Sequence, residues 1–177
     1  MTVLSFHVHD FGADPDAADN TAAFQAAIDR AAGTGGRVVV PRGIFRLGML
    51  ELKSRVELHL ARGARLRSIL TPVPEAGTTC PDPSCNRRRF LIGGTGVERA
   101  AITGAGIIDG CGEEHFWSIE PGVDYPLYGR RYMPLPHRPK GLVHFRESRD
   151  IRIEGIAIVD APCYAVWLLG CRGVEIS

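Results

Sequence analysis

Long apolar runs are missing from this sequence. None approaches the roughly 18 residues that a membrane-spanning helix requires, so no membrane partner is expected. An excess of charge is missing too. The 21 basic and 20 acidic residues leave a net charge of +1, which gives no electrostatic reason to expect a nucleic-acid partner. Aromatic residues make up only 7% of the chain. The five cysteines are an odd, irregularly spaced set, which suits a reducing compartment better than a disulfide framework. Met1 to His7 carries neither a basic n-region nor an apolar h-region. The expected location is therefore cytoplasmic, or secreted or periplasmic if the natural N-terminus lies elsewhere. Asn-Gly hairpin turns are also absent.

What is abundant is glycine and proline, with 21 and 12 residues in 177, as many tight turns require. Only one helix is expected. Asn20 or Asp19 can cap its first turn, and Phe24, Ala27, Ile28 and Ala31 fall at i, i+3, i+4 and i+7. Gly33, Gly35 and Gly36 should stop it. The rest reads as short strands. Phe6 to Phe11 is one, and Val38 to Val40 precedes Pro41. Clean apolar–polar alternation follows at Val56 to Leu60, at Ala64 to Ile69 and at Ala101 to Asp109.

Asp150 to Ile156 alternates in the same way, and Gly173 to Ser177 restarts that pattern about 23 residues later. A period of this length in short strands points to a solenoid, whose repeats bury their faces against their neighbours. The expected fold is all-β: a right-handed, single-stranded parallel β-helix with an N-terminal helical cap. One domain spans 1–177, with the cap at about 6–36 and coils at about 37–177. Long loops interrupt the coils at about 71–95 and 111–139. A β-sandwich would not need the spacing. The repeat is expected to be incomplete at Ser177, leaving Val174 to Ser177 as an exposed strand edge prone to pairing with other chains.

Several stretches carry a resemblance. They are Asp10-Phe11-Gly12-Ala13, Asp19-Asn20-Thr21 with Ala23 to Ile28, and Gly35 to Gly43. Two more are Ile102 to Gly110 with Gly112 and Trp117, and Arg138-Pro139 followed by Asp150 to Ile158 and Ala161 to Val166. Together they resemble the N-terminal half of glycoside hydrolase family 28, the polygalacturonases, within the pectin lyase-like superfamily. Tyr164 stands where that family often has Trp, and Trp167 where it often has His or Asn. The resemblance implies inverting hydrolysis of pectic polysaccharide, with no cofactor and no metal. A polysaccharide lyase or epimerase on the same scaffold is the alternative, or a non-catalytic carbohydrate-binding β-helix.

Inversion needs a carboxylic acid and a carboxylate about 6.5–9.5 Å apart. In the family these sit in an Asn-Thr-Asp motif and an Asp-Asp pair, backed by Gly-His-Gly and Arg-Ile-Lys. None of the four occurs in this sequence; Asn20-Thr21 is followed by Ala22, and Arg152-Ile153 by Glu154. No catalytic residue is therefore assigned, and the chain alone is expected to be inactive.

Arg138, Tyr164 and Trp167 are the candidates for substrate binding, with Trp117 a further stacking residue. Arg87 to Arg89 and Arg130-Arg131 could meet uronate carboxylates, although basic loop runs are usually just solvated. His7-Val8-His9 lacks a third metal ligand, and Cys80 with Cys85 lacks the set a structural zinc requires. Cys163 and Cys171 read as packing residues. Glu113-Glu114-His115 offers acid–base residue types with no partner visible in sequence, and reads as solvated loop.

Overall fold

A computed structural model describes residues 3–70, 90–115, 117–119, 132–134 and 141–177. The strands, in chain order, are β1 (Ser5–His7), β2 (Arg37–Val40), β3 (Gly43–Leu47), β4 (Leu50–Glu51), β5 (Glu57–Leu60), β6 (Ala64–Ser68), β7 (Ile92–Thr95), β8 (Glu98–Gly104) and β9 (Ile107–Asp109). They continue as β10 (Trp117–Ile119), β11 (Tyr132–Pro134), β12 (Gly141–Arg146), β13 (Arg149–Glu154), β14 (Ala157–Val159), β15 (Tyr164–Leu169) and β16 (Arg172–Ile176). Two α-helices, α1 (Thr21–Ala32) and α2 (Gly112–His115), and a 3-10 turn at Val8–Phe11 complete the described elements.

The chain is a parallel β-helix. Three parallel sheets run along it. The first is ordered β1-β2-β5-β8-β13-β16, the second β3-β6-β9-β14 and the third β4-β7-β12-β15. Each coil lays one strand on each sheet. The register keeps like positions in line: Val38, Leu58, Ile102, Ile153 and Ile176 stack in the first sheet. Phe45, Leu66, Ile108 and Ile158 stack in the second, and Leu50, Ile92, Val143 and Val166 in the third. Apart from Ile176, which is 58% exposed, these apolar columns form the core or pack against it. Burying each large side chain contributes roughly 1.5–3 kcal/mol.

Helix α1 caps the first coil. Its buried face is Phe24, Ala27, Ile28 and Ala31, with the Phe24 ring 5.4 Å from Phe45. Asn20 occupies the cap position, but its Oδ1 accepts from the Asp14 amide at 2.7 Å. Asp19 serves the helix instead, accepting from the Thr21 amide at 2.8 Å. Gly33 keeps helical angles, and the left-handed residue that turns the chain out is Gly35, with φ of +72°.

Four local expectations are corrected. The strand expected over Phe6 to Phe11 ends at His7, where Val8–Phe11 coils into a 3-10 turn that buries Val8. The loop expected over 71–95 ends earlier, because Ile92 joins the third aliphatic column in β7. The loop expected over 111–139 holds α2 and the antiparallel hairpin β10–β11. Glu113, Glu114 and His115 thus lie on a helical turn rather than in irregular loop.

Outward positions of the first sheet carry a polar network. Glu57 accepts from Arg37 Nε at 2.9 Å and from Thr103 Oγ1 at 2.6 Å, and Thr103 also meets His59 Nδ1 at 2.9 Å. Burial alone would raise the Glu57 carboxyl. The hydrogen bonds from Thr103 and Arg37, with the charges of Arg37 and Arg152, outweigh it and hold the group below its ordinary 4.5. Its stabilising contribution is therefore complete above pH 4.5 and is lost as pH falls below that value. We expect Glu57→Gln to lower stability by about 1 kcal/mol at neutral pH. The difference should vanish in acid, as urea unfolding of both proteins across pH would show.

Candidate functional site

The chemistry-bearing groove lies along the outward face of the third sheet, beside α1. Its volume is about 540 Å³. Register builds it: Glu51 of β4 is level with Gly93 of β7, Gly93 with His144 of β12, and His144 with Trp167 of β15. These four positions form one outward rung across the sheet. Gly93 has no alternative there, because a Cβ would run into the carbonyl oxygen of His144. The next rung brings Thr95 level with Arg146.

The helix forms one wall. Gln25 bonds the main chain of Glu51 in both directions, accepting from its amide at 2.9 Å and donating to its carbonyl at 3.1 Å. Gln25 Nε2 also donates to Asp29 at 3.0 Å, and Lys53 Nζ donates to the Glu51 carboxylate at 2.7 Å. Both carboxylates of this wall are therefore engaged. Lys53 and Arg146 place positive charge along the groove, and Arg146 shares its Nε–H with Glu147 at 3.0 Å.

His144 is the centre of the rung. It is 94% buried, being 6% exposed. Trp167 stacks on it with ring centroids 4.6 Å apart and planes 17° from parallel. Phe90 meets it edge-on at 5.9 Å. Neither ring nitrogen has a hydrogen-bond partner among the described residues. Burial, and then the charge of Arg146, lower its pKa from 6.5, so the imidazole is neutral at neutral pH. A neutral imidazole can donate from one nitrogen and accept at the other. The groove thus combines aromatic faces, an imidazole able to both donate and accept, and two cations. It suits a polar ring carrying hydroxyls and negative charge.

The residues anticipated from sequence divide. Trp167 packs against His144 on the rung. Tyr164 begins β15 and is 59% exposed. Trp117 sits on β10. Arg138, Arg87 to Arg89, Arg130-Arg131, Cys80 and Cys85 lie outside the described residues. His9 bonds the Ala13 carbonyl at 2.6 Å and stands 5.8 Å from the Phe45 ring, within the cap. Cys171 packs on the core and donates to the Phe145 carbonyl at 3.3 Å.

Sequence reasoning missed His144, Phe90, Lys53 and Arg146. A signal for His144 was present: Trp167 follows it by the same 23 residues that separate Asp150 from Gly173. One coil later in a parallel β-helix means directly alongside.

No family model matches the chain. It is 36% identical over 117 residues to an exo-poly-alpha-D-galacturonosidase of Dickeya chrysanthemi, a stretch covering 60% of this chain and 19% of that protein. Over that stretch the chain is similar to a polygalacturonosidase. Among solved structures, the hyperthermoactive exopolygalacturonase of Thermotoga maritima matches 98% of this chain with 45% of its own, at 25% identity and a TM-score of 0.73. The family 28 exopolygalacturonase of Yersinia enterocolitica matches 98% with 37%, at 21% identity and a TM-score of 0.70. The chain therefore spans about a fifth of the Dickeya protein and less than half of either crystallised enzyme.

Because His144 is neutral when folded and charges more readily when unfolded, stability should fall as pH drops below 6.5. We expect His144→Gln to flatten the pH dependence between pH 7.5 and 5.5. Chemical denaturation at the two values, with and without the substitution, measures this.

Proposed function

We propose that this polygalacturonase-like chain forms the substrate-holding part of a glycosidase acting on pectic polysaccharide by an inverting, two-carboxylate mechanism. The observation that carries the reading is the 117-residue stretch shared with the Dickeya exo-poly-alpha-D-galacturonosidase. The groove chemistry supports it. Galacturonate units are polar rings that carry carboxylates. Lys53 and Arg146 supply charge for the carboxylate, Arg146 through a planar donor fork. Beyond the groove lining, Trp167 and Tyr164 are candidates for stacking on a sugar ring, and Arg138 is a further candidate for the carboxylate.

The acid and base belong elsewhere in this reading. The sequence contains no Asn-Thr-Asp or Asp-Asp motif, and the groove carboxylates Asp29 and Glu51 are held by Gln25 and Lys53. The chain alone should bind without turning over.

The test is titration of the 177-residue protein with trigalacturonate, alongside an assay for new reducing ends on polygalacturonate. We expect saturable binding, weakened about tenfold by Arg146→Ala, a loss of about 1.4 kcal/mol. We expect no reducing ends. Turnover would overturn the separation of binding from catalysis. An absence of binding would overturn the reading of the groove. An unsaturated product would place the chain with the lyases instead.

A further inference from the structure

A second cluster of reactive side chains lies away from that groove, where β9 leaves the second sheet. Cys111, Glu114 and His115 stand at i, i+3 and i+4. The His115 amide bonds the Cys111 carbonyl at 3.0 Å, so α2 closes as one helical turn. Cys111 itself lies just before the turn with a left-handed φ of +47°. The Cys111 sulfur, a Glu114 carboxylate oxygen and a His115 ring nitrogen lie within 4.8 Å of one another. Two anchors fix the turn. Asp109 Oδ1 accepts from the Cys111 amide at 3.0 Å, and the Asp160 carbonyl accepts from the Gly112 amide at 2.9 Å.

We propose that Cys111, Glu114 and His115 form a three-ligand site for a divalent transition ion of the zinc class, leaving a fourth position open to water. Thiolate, imidazole and carboxylate are the ligand types zinc takes, and three protein ligands plus water is a recurrent zinc arrangement. Bonds of about 2.0–2.3 Å to a tetrahedral ion put its ligand atoms roughly 3.3–3.8 Å apart. The observed cluster is therefore a slight contraction away, within reach of side-chain rotation.

A protein cation stands beside the cluster. The Arg67 guanidinium of β6 forms an ion pair with Glu114 and also interacts with Cys111. Asp109, which binds Arg65 at 2.7 Å, adds negative charge beside the sulfur. Burial first, and then Asp109, push the Cys111 thiol up to about 11, with Arg67 partly opposing them. The metal-free thiol is accordingly protonated. Binding replaces the S–H bond with a sulfur–metal bond, and the proton leaves to solvent. For Glu114 to reach an ion, Arg67 has to release it, which its partly exposed side chain allows. Arg67 thus acts as a built-in competitor for the site.

Cobalt(II) titration of the 177-residue protein tests this, because a cobalt–thiolate bond gives a near-ultraviolet charge-transfer band. We expect one equivalent of cobalt to bind with that band, and zinc to displace it. Cys111→Ser should abolish the band. His115→Ala and Glu114→Gln should weaken binding about tenfold or more, at least the scale on which outer-shell partners of a metal act. Arg67→Gln should tighten it, a result that a merely structural ion pair would not give. A band that survives Cys111→Ser would assign the metal to the other cysteines and overturn the proposal. So would an absence of any band, or an affinity unmoved by Arg67→Gln. Circular dichroism of each variant reports its folding, and the Arg67 variant keeps all three ligands in place.

Discussion

The structure depends on one constraint: a residue in one coil must sit directly on its counterpart in the next. A β-helix coil has no second layer to close it. Its inward side chains are buried only by the columns above and below and by the other two sheets. Val38, Leu58, Ile102 and Ile153 satisfy that demand in the first sheet, where the parallel register places them in one line. A slip of one residue would turn every inward aliphatic residue outward. The long excursions are tolerated because each returns the chain to the same register. Val143 lands level with Ile92 although an excursion precedes each of them.

The same register organises the outside. A solenoid has no natural cleft, so a site must be assembled from residues far apart in sequence that the coil pitch brings level. Glu51, Gly93, His144 and Trp167 come from four successive coils and form one rung. Gly93 supplies no side chain, which lets the neighbouring strand approach. His144 fills the centre and is kept neutral by burial and by Arg146. Helix α1 then turns a flat sheet face into a groove through Gln25. A helix whose apolar face caps the core thereby also walls the site. The charged network around Glu57 shows another use of an outward face, in which ion pairs and hydrogen bonds knit coils together.

The fold was legible because its signals are local and repeated. Alternation within Val56 to Leu60 and Asp150 to Ile156 set which side chains face inward, and the 23-residue recurrence set the architecture. The apolar face of α1 was equally readable from Phe24 to Ala31. Short-range exceptions were less so. Val8 to Phe11 has the composition of a strand but bends into a 3-10 turn under the cap. Glu113 to His115 gave no periodic signal because one helical turn is too short to show one. The groove was largely hidden for a different reason. Phe90, His144 and Arg146 are ordinary strand and loop residues taken singly, and only their register makes them a site. Trp167 was identifiable as an aromatic at an informative position, but its partner was not.

The central claim is that this rung holds a galacturonate unit between Lys53 and Arg146, with a ring face toward the His144–Trp167 stack. A crystal structure of the chain with trigalacturonate tests it most directly. The account predicts a sugar in the groove over the third sheet, its carboxylate within hydrogen-bonding distance of Arg146 or Lys53 and a ring nitrogen of His144 bonded to a hydroxyl. Sugar bound on another face of the β-helix, or a groove left empty at saturating ligand, would contradict it.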